Sequence, residues 1–127
     1  MIDPGSLELA YLGDAVWELY VRARQLETGC RVKELHRQSV SHVKAAAQAE
    51  ALRAISERLD ENEQAVVRRA RNARQTPTKN ADIADYHMAT AFEALLGMLY
   101  REAQNERLSE LMCAAYEAVN QTPDGGK

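Results

Sequence analysis

Cysteine is nearly absent. Cys30 and Cys113 are the only two in the chain, they form no CxxC pair, and no grouping of histidines lies near either. A disulfide framework is thereby excluded as the organising device, and reduced thiols in a cytoplasmic setting are expected. Helix breakers are scarce too, with three prolines and six glycines. Val, Ile and Thr are scattered and never alternate over a strand length, so no strand is predicted. No apolar run approaches the ~20 residues needed to span a bilayer, so no membrane partner is expected. The first residues lack the basic start and apolar run of a signal peptide. Nor is there an excess of positive charge: 19 acids against 16 Lys and Arg leave a net charge of −3, which does not announce a nucleic-acid binder. A Gly-rich phosphate loop, a nucleophile elbow and a Cys–His arrangement are all missing.

What is present is helix-forming. Ala, Leu, Glu, Arg and Gln dominate, and 127 residues suffice for one domain with a proper core. Asp3-Pro4 or Ser6 caps a first helix that runs to about Glu27, with Gly29 as its stop. Residues 32–59 are helical again, with a break expected near 39–41. Asp60 and Glu63 make a capping box for a third helix over 61–73. Pro77 places residues 75–80 in a loop. Asp82 caps a helix reaching about Gln104 with the stripe Phe92, Leu95, Leu96 and Leu99, and Asn105 opens a last helix to about Val119. The tail from Thr122 is expected to fray. The prediction is an all-α single domain of about five to seven helices.

Two carboxylates sit oddly in this pattern. The first helix carries apolar residues at 12, 15, 16 and 19, yet Gly13 and Asp14 interrupt it. A glycine there costs roughly 1 kcal/mol relative to alanine, and a charge beside buried residues needs a partner, a metal or an exit to water. Glu93 stands in the most apolar stretch of its own helix, and its helical neighbours Ala89, Thr90 and Gly97 are all small. Small residues let backbones approach, so the two helices are expected to cross near their glycines with Asp14 facing Glu93. Facing carboxylates in a dry crossing require a cation. Hard oxygen ligands suit Mg²⁺, which implies metal-assisted phosphodiester hydrolysis. The simpler alternative is that each acid reaches solvent or pairs with an arginine.

A third feature is electrostatic. Arg68, Arg69, Arg71, Arg74 and Lys79 fall in a stretch without a single acid between Gln64 and Ala81, and Asn72 and Asn80 add uncharged hydrogen-bonding groups. Such a segment suits phosphate contacts that carry no base information, or it is a solvated basic helix end placed favourably for the helix dipole. His36, His42 and His87 are not spaced as a metal site and are read as surface or packing residues.

These residues bring a family into view. Tyr11-Leu12-Gly13-Asp14-Ala15-Val16 closely resembles the signature of the ribonuclease III catalytic domain, and Phe92-Glu93-Ala94-Leu95-Leu96-Gly97 resembles its second acidic motif. With Arg71-Asn72-Ala73 and the segment 76–82 added, the similarity is to Mini-ribonuclease III, the compact bacterial branch without a double-stranded-RNA-binding domain. It covers about residues 7–116.

The resemblance implies that Asp14 and Glu93 are catalytic and hold Mg²⁺, with Mn²⁺ as a substitute. It implies that Tyr11 lodges in the partner subunit of a homodimer, and that Arg68, Arg69, Arg71, Asn72, Arg74, Lys79 and Asn80 grip duplex RNA. Accessory acids of full-length ribonuclease III are replaced by Leu7, Ala10 and Thr90, which leaves more of the metal shell to water or phosphate. The implied task is cleavage of double-stranded RNA, maturing the ends of the large (23S) ribosomal RNA precursor in the cytoplasm with a ribosomal protein as helper. The competing reading is a non-catalytic helical dimer that binds structured RNA or serves as a ribosome-associated adaptor.

Overall fold

A computed structural model describes residues 4–74 and 82–121. The predicted 75–80 loop, the tail from Thr122 and the cap candidate Asp3 lie outside the described residues. Six α-helices follow in order: α1 (Ser6–Leu26), α2 (Val32–Val43), α3 (Ala45–Ile55), α4 (Glu61–Arg71), α5 (Ile83–Arg101) and α6 (Asn105–Gln121), with a short 3₁₀ turn (Ser56–Arg58) after α3. The described residues contain no strand, and the all-α expectation is met.

The core is built on α5. From Ala89 to Leu99 every residue is buried except Glu93, which is half-buried. A helix that is apolar all round must be enclosed on all sides, and α1, α3 and α4 pack around α5 while α6 closes against α3 and α5. Phe92, Leu95, Leu96 and Leu99, the expected stripe, are all fully buried. Trp17 of α1 meets Phe92 edge-on at 4.9 Å between ring centres. The Trp17 indole N–H donates to the His42 carbonyl at 3.1 Å, satisfying one of the carbonyls that the end of α2 leaves without an intrahelical partner.

Three local expectations are corrected. The buried row of α1 is Ala10, Gly13, Trp17, Val21 and Gln25; of the expected 12, 15, 16 and 19, Leu12 and Val16 are half-buried, Val16 against the core, while Ala15 is exposed and Leu19 is 72% exposed. The docked face is centred on a glycine, which carries no apolar side chain to mark it in a pattern. The break between α2 and α3 falls at Lys44, whose extended backbone (φ −74, ψ 160) ends one helix and starts the next. Ser41 stays inside α2, its hydroxyl donating to the Gln38 carbonyl at 2.7 Å. Finally, α5 stops at Arg101 rather than Gln104, because Ala103 takes a left-handed conformation (φ 57) and the Gln104 N–H turns back to the Leu99 carbonyl at 3.0 Å.

The capping signals are met where they were clearest. The Asp60–Glu63 capping box opens α4, and the Asp82 carboxylate accepts from the Asp85 N–H at 3.0 Å. Glu63, 1% exposed, also binds the Arg107 guanidinium at 2.8 Å, which ties α6 to the start of α4.

Candidate active site

The site begins with a backbone contact. A Cβ on Gly13 would fall 2.6 Å from the Glu93 carbonyl carbon and 2.9 Å from the Gly97 nitrogen; a Cβ on Gly97 would fall 2.9 Å from the Leu9 carbonyl carbon. No real side chain fits at such distances, so α1 and α5 touch backbone to backbone. Asp14 is the next residue after one glycine, and Glu93 lies one helical turn before the other. The crossing therefore turns the two carboxylates towards each other, as expected from the sequence.

Asp14 and Glu93 line a cleft of about 450 Å³ between α1, α3 and α5. Its walls include Leu7, Tyr11, Val43, Gln48, Tyr86 and Thr90. Asp14 is exposed, whereas Glu93 is half-buried. Burial, then the Asp14 charge and a hydrogen bond with Asp14, push the Glu93 carboxyl up to about 8, and the neighbouring Gln48 amide pulls it back in part. Glu93 thus resists carrying its charge until a cation compensates it.

The donor set fits Mg²⁺: two hard carboxylates on rigid helices, beside space for water and phosphate oxygens. Among the described residues, no group of three or more His, Cys, Asp or Glu gathers anywhere. Thr90, at the place of a family acid, donates its hydroxyl to the Tyr86 carbonyl at 3.1 Å. The carboxylate pair stands without a third acid, so most of a metal shell there is left to water and phosphate.

The basic segment lies next door. Arg68, Arg69, Asn72 and Arg74 at the end of α4 line a groove with Ser6, Leu7 and Glu8 of α1, and Leu7 borders both this groove and the carboxylate cleft. Arg68, Arg69, Arg71 and Arg74 are exposed and form no ion pair among the described residues. Lys79 and Asn80 lie outside the described residues. Tyr11 is 86% exposed at the rim of the cleft. His42 is a packing residue, stacked on Tyr116 at 4.6 Å with Nε2 2.7 Å from Asn120 Oδ1.

One residue of the cleft was not found from the sequence. Gln48 is 2% exposed, and its Nε2 makes no hydrogen bond of normal geometry although Glu93 is its neighbour. A lone glutamine in an alanine-rich helix gives no signal by itself; only its burial beside Glu93 sets it apart.

Facing carboxylates on two crossing helices lie beside an arginine-rich groove, and residues 7–104 match the Ribonuclease III domain family. The molecule is an endoribonuclease of that class. It is 50% identical over 115 residues to the Mini-ribonuclease 3 of Symbiobacterium thermophilum, covering 89% of this chain and 88% of that one. It is 41% identical to the Mini-ribonuclease 3 of Enterococcus faecalis, with 92% of each chain covered. A crystal structure of a protein from Fusobacterium nucleatum superposes with a TM-score of 0.82 at 32% identity, over 88% of this chain and 93% of that one. The chain belongs to the Mini-ribonuclease 3 family.

Proposed function

We propose that the protein is a Mg²⁺-dependent endoribonuclease that cuts double-stranded RNA as a homodimer. The observation that carries this reading is the Asp14–Glu93 pair, facing across the glycine crossing in a cleft that adjoins the arginine groove. Asp14 and Glu93 hold the ion, Mg²⁺ or in its place Mn²⁺. When bound, the ion supplies Lewis acidity and neutralises charge on the scissile phosphate.

The chain's own residues do the rest. Arg68, Arg69, Arg71, Arg74 and Asn72, with Lys79 and Asn80 beyond them, take duplex phosphates and set the register without reading bases. Water adds to phosphorus, the bond from phosphorus to the 3′ oxygen breaks, and that oxygen receives a proton. The ends are a 5′-phosphate and a 3′-hydroxyl. Two protomers place two such centres on opposite strands, leaving short 3′ overhangs. Tyr11, exposed beside the cleft, is the residue proposed to enter the partner subunit. The proposed natural substrate is the stem of the large ribosomal RNA precursor, cut in the cytoplasm, with a ribosomal protein on that stem as the proposed helper.

The test is a long RNA duplex incubated with Mg²⁺ and the purified protein, beside Asp14→Asn and Glu93→Gln. Wild type is expected to yield 5′-phosphate ends, and both variants to bind the duplex without cutting it. A folded, dimeric wild type that leaves the duplex intact would overturn the reading in favour of a non-catalytic RNA-binding adaptor.

A further inference from the structure

The cleft contains one polar group that the proposed chemistry leaves unused. Gln48 enters from α3, which belongs to neither acidic motif, and its side chain is almost completely enclosed while lining the same cleft as Asp14 and Glu93. Its Nε2 carries two donors and makes no hydrogen bond of normal geometry, although it lies close enough to Glu93 to favour that carboxyl's charged form. A buried donor left in that state destabilises the fold. Its surroundings on α3 do not demand a polar residue: Ala47, Ala49, Ala51 and Leu52 are buried and apolar. A methionine of similar length would fill the position and leave no donor unpaired. The amide therefore destabilises the resting fold, and its position beside Glu93 accounts for it if that carboxyl becomes its acceptor when the cleft is in use.

The other cleft groups narrow what that acceptor is. The Thr90 hydroxyl is engaged with the Tyr86 carbonyl, and Asp14 is open to solvent. Glu93 is the half-buried carboxylate and the Gln48 amide is its neighbour. A carboxylate that holds a cation through one oxygen needs a donor for the other, and such outer-shell donors fix the orientation of the ligand.

We propose that Gln48 is a positioning residue for the metal centre: in the loaded site its Nε2 donates to one carboxylate oxygen of Glu93 and leaves the other for the cation. This rests on the metal-site reading of Asp14 and Glu93 given above. Three helices then build the centre, with α1 and α5 supplying ligands and α3 setting the angle of one of them.

The test uses Gln48→Met, which keeps the volume and removes the donor, and Gln48→Asn, which keeps an amide but withdraws it by one methylene. Three quantities are measured: urea stability of the metal-free protein, Mn²⁺ affinity by electron paramagnetic resonance, and kcat and KM on duplex RNA. Gln48→Met is expected to equal or exceed wild-type stability without metal, to bind Mn²⁺ 10–100-fold more weakly, and to lose kcat with little change in KM. Gln48→Asn should weaken Mn²⁺ binding in the same direction. A wild-type Mn²⁺ affinity in either folded variant overturns the proposal, and a stability loss with unchanged affinity identifies Gln48 as a packing residue. Glu93→Gln separates the two levels: if it binds Mn²⁺ as wild type does, the metal-site reading falls and the role of Gln48 falls with it.

Discussion

Gly13 and Gly97 lie backbone against backbone: a Cβ added to Gly13 would stand 2.9 Å from the Gly97 nitrogen, and one added to Gly97 would stand 3.2 Å from the Gly13 nitrogen. This contact sets the spacing of α1 and α5, and with it the separation of Asp14 from Glu93. The obstructing atoms are backbone, so no rotamer change can relieve them.

Substitution of either glycine by alanine is therefore expected to force the helices apart. The roughly 1 kcal/mol that alanine contributes in helix propensity is outweighed by overpacking of about 3 kcal/mol or more. Urea denaturation of Gly13→Ala and Gly97→Ala should show the loss, and the folded fraction should cut duplex RNA poorly because the carboxylates no longer face. A stability equal to wild type in both variants would refute the backbone contact.

The raised Glu93 carboxyl predicts a pH dependence in the metal-free protein. Between its ordinary value of 4.5 and the folded value of about 8, the native state keeps a proton that the unfolded chain has lost. Stability must then fall as pH rises through that window, by up to about 1.4 kcal/mol per pH unit from this group. Glu93→Gln should flatten the slope and be the more stable protein near neutral pH. Urea midpoints at several pH values, in the presence of a chelator, measure it; a slope identical in the variant would exclude Glu93 as its source.

The arginine groove predicts a salt effect. Each phosphate contact removed should lower the slope of log affinity against log salt by about 0.9. Arg68→Gln and Arg69→Gln are expected to weaken duplex binding uniformly across sequences and to flatten that slope, while Asp14→Asn leaves the slope unchanged. Filter binding over a range of salt concentrations reads the result. Slopes that stay at the wild-type value would remove α4 from the RNA interface.

Arg107 predicts a stability effect far from the cleft. Its guanidinium binds Glu63 and the Arg58 carbonyl, and holds the Glu63 carboxyl below its ordinary value. Arg107→Ala strands an enclosed carboxylate and should cost about 2–4 kcal/mol at neutral pH, somewhat under the full range for a buried pair because Arg107 is partly exposed. A depressed carboxyl stabilises the fold above its unfolded value and ceases to do so as pH falls, so the gap between wild type and Arg107→Ala should narrow below about pH 4.5. Thermal melts at pH 7 and pH 4 test both parts.

The facing acids were legible because each broke a local pattern. Asp14 follows a glycine within an apolar stretch of its helix, and Glu93 is the one charged residue from Ala89 to Leu99. Gln48 was not legible, since nothing in its neighbours along the chain marks it and its unpaired donor exists only once α3 is docked. The basic stretch was visible as charge, but its nearness to the cleft depends on Leu7 standing between the two.

The sequence by itself determined the helices, the buried character of α5, the capping of α4 and α5, and the two acidic motifs, because each is a property of residues within a few positions of one another. Tertiary structure decided which face of α1 is buried, where α2 gives way to α3, and which side chain of α3 joins the acids. The reason is geometric. Periodicity names the faces a helix could bury, but the close approach at Gly13 and Gly97 chooses among them, and that contact joins residues far apart in the chain whose lack of a side chain is their only mark.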